Sequence, residues 1–418
     1  MLDNNILTIL FILNKLYFVM HRAYLIKIYP SKEQINQINQ HIGSCRWLYN
    51  QILTISQKVY HRKGKHLSKY DMQTYIPKLK KQYPWLKDTG SQSLQMTCHQ
   101  VDSAFGKFFK KQGGFPNFKK KTHQGSFSAI TGCVIKDKHI VLPKIGKIKF
   151  RGGDKPNGEA KRFTISKDAT GFYCSILFND NKELPTKQNI TNIVGIDVGI
   201  KDFAVCSNSL VIKNKKFGNK EKQRLRKWQK ALSRRQKGSK KKEQARIMVG
   251  KIQKKIANQR KDYAHKNSRL IINNCESQAI ALENLNIAGM LKNHKLAKSI
   301  ADCGWYQFKQ FLTYKAETVG KQVIEIDRFY PSSKICADCG FVNINLTLKD
   351  RSWQCPECKT KHNRDFNASQ NIAMEGARIY YKSQTNCNGG DEINLSLILK
   401  NIKNSSVCEA DNSLLLAN

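Results

Sequence analysis

Two Cys-x-x-Cys pairs, Cys336/Cys339 and Cys355/Cys358, stand fifteen residues apart in the last third of this 418-residue chain. Few short patterns restrict a fold more. Each pair sets two thiolates on one tight knuckle, and two knuckles complete a tetrahedral shell for one Zn²⁺. The metal neutralises thiolates that would otherwise be costly to bury, so it can fold a loop too small for a core of its own. Four protein ligands leave no open position, which makes such a zinc structural. His362 is an alternative for one of the four. A redox dithiol fits less well, because neither pair opens a βαβ unit. The other nine cysteines are scattered singly. That usage suits a reducing, cytoplasmic compartment and not a secreted disulfide framework.

Charge narrows the partner. Lysine and arginine number 73 against 31 acidic residues, a formal charge of +42. A body so charged repels itself unless a polyanion neutralises it, and nucleic acid is the commonest one. An enzyme of small neutral metabolites is thereby disfavoured. With 40% hydrophobic residues the chain still builds a core, which excludes wholesale disorder. Residues 213–261 hold 21 basic against two acidic side chains. Leu225, Trp228 and Leu232, then Val249, Ile252 and Ile256, give that stretch a helical stripe broken near Gly238. It reads as a phosphate-tracking helical hairpin, with Arg224, Arg234, Arg235, Lys240 and Lys241 as candidate contacts. A solvated charged helix pair is the plainer alternative. Lys119, Lys120 and Lys121, interleaved with Phe115 and Phe118, form a second candidate nucleic-acid contact; the two phenylalanines read equally well as core anchors.

The pattern of elements implies two folded parts. Residues 22–28 alternate as a strand, Ser31 and Gln34 open a helix, and more helix runs to 94–111, where Val101, Phe105, Phe108 and Phe109 line one side. Short strands follow at 139–142, 147–150, 163–166 and 172–178, suiting a small barrel or curled sheet. After a polar linker come apolar strands at 193–197 and 279–282, a helix at 305–319, a strand at 322–326 and a helix at 365–381. The expected domains are 20–190, with a helical insertion at about 31–112, and 191–382, with the cysteine insertion at about 330–362. Residues 1–19 read as a non-native extension upstream of a working start at Met20: their apolar run of eight lacks a basic start and is too short to span a bilayer. Residues 383–418 read as a disordered tail.

Asp197 closes one apolar strand, Glu283 closes another, and Asp365 opens a helix. Each has an ordinary explanation: a turn, plain surface, an N-cap. Together they suit a site in which acidic residues hold two Mg²⁺ ions for phosphodiester cleavage. Spacing alone does not bring them together in space.

The motifs VGIDVGIKDFAV around Asp197, ALENLNIAGM around Glu283, RFYPSSKICADCG at 328–340 and HNRDFNASQNIA at 362–373 occur in that order. The chain from about Tyr24 to Tyr381 closely resembles the TnpB (OrfB-type) proteins of bacterial insertion sequences, relatives of the type V CRISPR nucleases; GFPNFKKK at 114–121 resembles a further stretch of that family. The resemblance implies a multidomain α/β plus β-barrel architecture. Its parts would be a RuvC-like, RNase H-fold nuclease domain with a zinc-knuckle insertion, and an N-terminal wedge β-barrel with an inserted helical recognition lobe. It implies an RNA-guided DNA endonuclease that cuts beside a short flanking motif. Its catalytic carboxylates and Mg²⁺ ligands would be Asp197, Glu283 and Asp365, and its Zn²⁺ ligands Cys336, Cys339, Cys355 and Cys358. Its partners would be a guide RNA transcribed from the transposon end and double-stranded target DNA, at the nucleoid when bound, with no membrane involved. Asn363 and Asn284 stand where many members have Asp, and Ser209 where glycine is common. Two rivals share the features: a nuclease-inactive RNA-guided repressor, and a conventional RNase H-fold transposase. The complete carboxylate set argues against the first and the resemblance against the second.

Overall fold

The computed structural model describes residues 19–121, 124–130, 132–153, 157–347, 349–385 and 395–407. The extension expected at residues 1–19 lies, but for its last residue, outside them. The chain divides into two compact units: Met1–Glu183 with Ala231–Lys251, and Leu184–Lys230 with Ile252–Asn418.

In the first unit, strand β1 (Val19–Tyr29) is followed by three helices, α1 (Lys32–Lys63), α2 (Lys69–Gln82) and α3 (Ser91–Phe109). The start of α1 is written in the sequence: Ser31 accepts from the Gln34 amide at 3.2 Å, and Gln34 accepts from the Ser31 amide at 3.0 Å. Gly64, in the left-handed region, closes the helix. Six more strands follow: β2 (Gly125–Ala129), β3 (Val134–Lys136), β4 (His139–Leu142), β5 (Gly146–Arg151), β6 (Glu159–Asp168) and β7 (Gly171–Glu183). They join β1 in one antiparallel sheet ordered β2-β6-β7-β1-β5-β4-β3. Ile26 and Ile28 of β1, Ile176 and Phe178 of β7, Leu48 and Ile52 of α1 and Leu94 and Val101 of α3 fill one shared core. Sheet and helices therefore stand or fall together. The aromatic face expected on α3 is only half realised. Val101 and Phe105 are buried, whereas Phe108 and Phe109 are exposed and gather with Phe115 at the surface.

The second unit holds a five-stranded mixed sheet of β8 (Ile193–Asp197), β9 (Asp202–Cys206), β10 (Val211–Lys213), β11 (Ala279–Glu283) and β12 (Gln322–Ile326), in the order β10-β9-β8-β11-β12. The first three are antiparallel neighbours, while β8, β11 and β12 run parallel. IVGI and AIAL are continuous apolar runs because both faces of a parallel strand are covered. Val194, Ile196, Ile280 and Leu282 face one layer, and Ile193, Ala279 and Ala281 face the other. The first layer includes helix α5 (Lys240–Asn273) through Ile271 and Ile272, and α7 (Trp305–Glu317) through Phe308 and Leu312, with α6 (Ala297–Cys303) beside them. The second layer is α8 (Arg364–Thr385), through Ile372, Ala373 and Ala377, and α9 (Leu395–Val407).

Two expectations fail here. The tail is not wholly without structure: α9 buries Ile398 and Ile402 against α8 and β8, and Asn401 donates to the Thr191 carbonyl at 2.9 Å. Its apolar i, i+4 pair supplied the anchor that an Asn/Ser-rich composition concealed. The basic hairpin also does not belong wholly to the nuclease part, because residues 231–251 fall in the first unit. Helix α5 has 34 residues and spans ~50 Å, longer than a domain core requires. Before it, α4 (Lys222–Arg234) buries no residue at all. Gly238, in the left-handed region, breaks the pair where expected. Among the described residues no helix is long and apolar enough to cross a membrane.

Candidate nuclease site and zinc knuckle

Strands β8 and β11 pair in parallel with Ile196 opposite Leu282, so Asp197 and Glu283 leave neighbouring strands at the same edge. Helix α8 lies across β8, and its second residue is Asp365. Close approach is possible because Gly195 has no side chain: a Cβ there would fall onto the Ser369 carbonyl and within 2.5 Å of the Ala373 nitrogen. Asp197 therefore lies near enough to Glu283 and Asp365 to feel both their charges, although the three carboxylate oxygens do not all come within 4.8 Å of one another. Burial first, then the charges of Glu283 and Asp365, push the Asp197 carboxyl up to about 8, against a weaker pull from Arg364 and Arg351. Burial raises Glu283 as well, while the Ser332 hydroxyl donates to its Oε1 at 2.6 Å and pulls the other way. Two carboxyls that resist ionising, Asp197 and Glu283, mark a place short of positive charge, as a divalent-cation site is. The donor set fits hard cations such as Mg²⁺, which take oxygen ligands.

Beside Asp365 lies a cavity of about 390 Å³ lined by Lys201, Lys213, Arg351, Asn363 and Phe366. Arg351 reaches Asp365 at 3.5 Å. Asn363 caps α8, accepting from the Asp365 and Phe366 amides at 3.1 and 3.2 Å, a task Asp would perform equally. Ser209 adopts φ 64°, the left-handed turn that explains why glycine is common there. Sequence reasoning singled out none of Lys201, Lys213, Arg351 and Ser332. Their only signal was position within or beside the motif segments.

The asparagines of the FNASQN segment have structural work. Asn367 and Asn371 are fully buried, and both donate to the Ile335 carbonyl at 2.7 Å; Asn371 also donates to Ser332, and Asn367 accepts from the Ala337 amide at 3.0 Å. They fasten α8 to the loop that carries the first cysteine knuckle. The sulfurs of Cys336, Cys339, Cys355 and Cys358 lie within 4.8 Å of one another. Cys336–Cys358 and Cys339–Cys355 are each 3.6 Å apart. That is far beyond the ~2.05 Å of a disulfide and near the ~3.8 Å edge of a tetrahedron with zinc–sulfur bonds of ~2.3 Å. Gly340 and Lys359 take the left-handed conformation just after each pair. The Thr360 hydroxyl and amide pull the Cys358 thiol down to about 6, so it is a thiolate at neutral pH. Burial holds Cys336 at about 12. His362 Nε2 lies 3.0 Å from the Cys336 sulfur and so supports the cluster from its edge. The protein is expected to carry one zinc per chain by elemental analysis, and Cys355→Ser to lose it with a lower melting temperature. Unchanged metal content in that variant would contradict the four-thiol site.

The candidate nucleic-acid contacts divide. Lys119 is held within the first unit: its ammonium sits 3.9 Å over the Tyr49 ring and donates to Gln100, and its backbone pairs twice with Asn50. Lys120, Lys121, Arg234, Lys240 and Lys241 are exposed. Arg224 pairs with Glu221 at 3.8 Å, and the Arg235 guanidinium donates to the Lys241 carbonyl. Phe115 and Phe118 are not core anchors, being 46% and 53% exposed.

Three family descriptions match the chain: a "Helix-turn-helix domain" of OrfB_IS605 type over residues 20–65, "Probable transposase" (OrfB_IS605) over 175–294 and "Cas12f1-like, TNB domain" over 305–372. A Streptomyces pristinaespiralis protein named "Putative RNA-guided DNA endonuclease" is 30% identical over 363 residues, covering 85% of this chain and 89% of its own. InsQ of Escherichia coli K12, of the same description, is 27% identical over 86% and 93%. The solved structure titled "Cryo-EM structure of the Cas12f1-sgRNA-target DNA complex" superposes with a TM-score of 0.55 at 14% identity, over 82% of this chain and 83% of that one. In fold the protein is thus a multidomain α/β chain similar to the compact type V nucleases. It belongs to the TnpB family, the OrfB proteins of IS605-type insertion sequences.

Proposed function

We propose that this protein is the RNA-guided DNA endonuclease of a bacterial insertion sequence, cutting DNA beside a short flanking motif. The observation that supports the reading is that Asp197 and Glu283 end neighbouring parallel strands while Asp365 opens the helix across β8, so that Asp197 feels both other charges. The sheet order, with three antiparallel strands followed by two parallel ones, supports a RuvC-like RNase H fold for the second unit. The seven-stranded sheet of the first unit corresponds to a wedge barrel, its three helices to a recognition lobe, and the cysteine module to a target-nucleic-acid-binding insertion.

Two Mg²⁺ ions held by these carboxylates would supply an activated water and stabilise the charge on the leaving oxygen. The rest falls to the chain. Asp197 and Asp365 orient the cation site from strand and helix, and Ser332 keeps Glu283 turned inward. Lys201, Lys213 and Arg351 line the cavity through which a phosphodiester backbone reaches Asp365. Sequence choice passes to base pairing with the guide, while the protein holds the heteroduplex by charge and shape. The exposed basic face of α4 and the start of α5 is the surface best suited to that task.

The test is to purify the protein from cells carrying its flanking DNA and to sequence the RNA that accompanies it. One abundant RNA running from the element's edge into adjoining sequence is expected, and it should direct Mg²⁺-dependent cutting of matched DNA. Only mixed RNA, stripped by moderate salt, would refute guidance and favour the transposase reading.

A further inference from the structure

A second, mainly apolar cavity of about 180 Å³ has Glu283 in its lining. Leu285, Trp305 and Phe308 line it on the apolar side, Glu283, Asn284 and Lys309 supply its polar groups, and Tyr306 borders it. Trp305 and Phe308 are buried core residues, so the walls are rigid. Tyr306 is 64% exposed, although the Gln310 amide donates to its hydroxyl at 3.1 Å and fixes the ring. The Asn284 side chain makes no hydrogen bond to any described residue, while its amide nitrogen is tied to the Ile326 carbonyl. The volume is below the ~300–1,000 Å³ of ordinary small-molecule sites and suits one flat ring.

We propose that this pocket receives one unstacked nucleobase of the DNA strand being cut, with Tyr306 stacking on the base and Asn284 reading its edge. The inference rests on the nuclease reading, because the occupant follows from continuity: the pocket shares Glu283 with the carboxylate site. A strand whose phosphate lies at Asp197 and Glu283 places a neighbouring base within reach of that wall. Bases freed from a duplex bind aromatic faces readily. An amide offers both a donor and an acceptor, whereas the Asp common at this position offers acceptors alone. Adenine is the base an asparagine engages with two hydrogen bonds. Cutting should therefore favour adenine at one fixed offset from the scissile bond.

Two readouts test this on the full chain loaded with guide RNA. In the first, cut ends from a library of target strands are sequenced for the parent, Asn284→Ala and Tyr306→Ala. Adenine enrichment at one offset is expected in the parent and lost in Asn284→Ala; a flat profile, or enrichment indifferent to both substitutions, overturns the proposal. In the second, an Asp197→Asn background binds single strands carrying the fluorescent adenine analogue 2-aminopurine at successive positions. One position should be quenched, and Tyr306→Ala should relieve the quenching and weaken binding by about tenfold, as loss of one stacking contact predicts, while Tyr306→Phe retains both. Cutting without a quenched position refutes the pocket alone. Quenching without any cutting by the parent refutes the nuclease reading and leaves the pocket standing.

Discussion

Asp197→Asn is expected to abolish guided cleavage, by on the order of 10³-fold or more, and at the same time to stabilise the metal-free protein at alkaline pH. The first effect follows from removing a ligand from a cation site worth several kcal/mol to the transition state. The second follows from linkage. In the folded chain the Asp197 carboxyl is held at about 8, against about 4 when unfolded. Below pH 4 both states carry the proton and the residue is neutral to stability. Between pH 4 and 8 the unfolded state releases the proton while the folded state keeps it, so stability falls as pH rises through that window. Asparagine has nothing to ionise. At pH 8 the variant should gain on the order of 5 kcal/mol over the parent without metal, and the gain should all but vanish at pH 4. Saturating Mg²⁺ should reverse the order by stabilising only the parent. Denaturant unfolding at the two pH values, with and without Mg²⁺, measures all of this. A variant that cuts normally, or whose stability relative to the parent is the same at both pH values, would remove Asp197 from the site.

Gly195→Ala should be among the most destabilising single substitutions in the chain. The new methyl would meet backbone atoms, the Ser369 carbonyl and the Ala373 nitrogen, which cannot swing aside as a side chain would. Either α8 lifts from β8 or the strand bends. Overpacking of this kind costs roughly 3 kcal/mol or more, through the core that Ile193, Ile372 and Ala377 share. Because α8 carries Asp365, any protein that still folds should also lose Mg²⁺ affinity. Urea unfolding and calorimetric Mg²⁺ titration check the two effects. A loss below 1 kcal/mol would show that the helix does not sit where this contact requires. Gly376, whose Cβ would come within 2.7 Å of the Ala281 methyl, makes a milder comparison because a side chain is the neighbour.

Local order was the most legible part of the chain. The capping box at Ser31 and Gln34, the strand alternation at 139–150 and 163–178, the apolar strands at 193–197 and 279–283 and the left-handed break at Gly238 all depend on residues a few positions apart. Periodicity reports such interactions directly. Failures came where a distant partner decided the outcome. Phe108 and Phe109 continue the stripe of Val101 and Phe105, yet they stay exposed and pack with Phe115 and His66 at the surface. Leu395 to Val407 lies in an Asn/Ser-rich tail, yet Ile398 and Ile402, with Leu395 and Leu399, pack onto the core on one face of the five-stranded sheet. Lys119 belongs to a basic run, but Tyr49 and Asn50, some seventy residues earlier, give it a fixed place.

The sequence by itself determined most of the elements, the polyanion partner, the four-thiol cluster and which three carboxylates to look for. These rest on charge, spacing and motif, which need no third dimension. Only the tertiary structure decided that Asp197 and Glu283 end adjacent strands with Asp365 on the helix across them, that Arg351 pairs with Asp365 and Ser332 with Glu283, and that an aromatic-walled cavity borders Glu283. The reason lies in the sheet. Parallel pairing of β8 with β11 and the seating of α8 on Gly195 join residues 86 and 168 positions from Asp197, and pairing register and backbone clearance are properties of surfaces in contact, which a single strand of text does not carry.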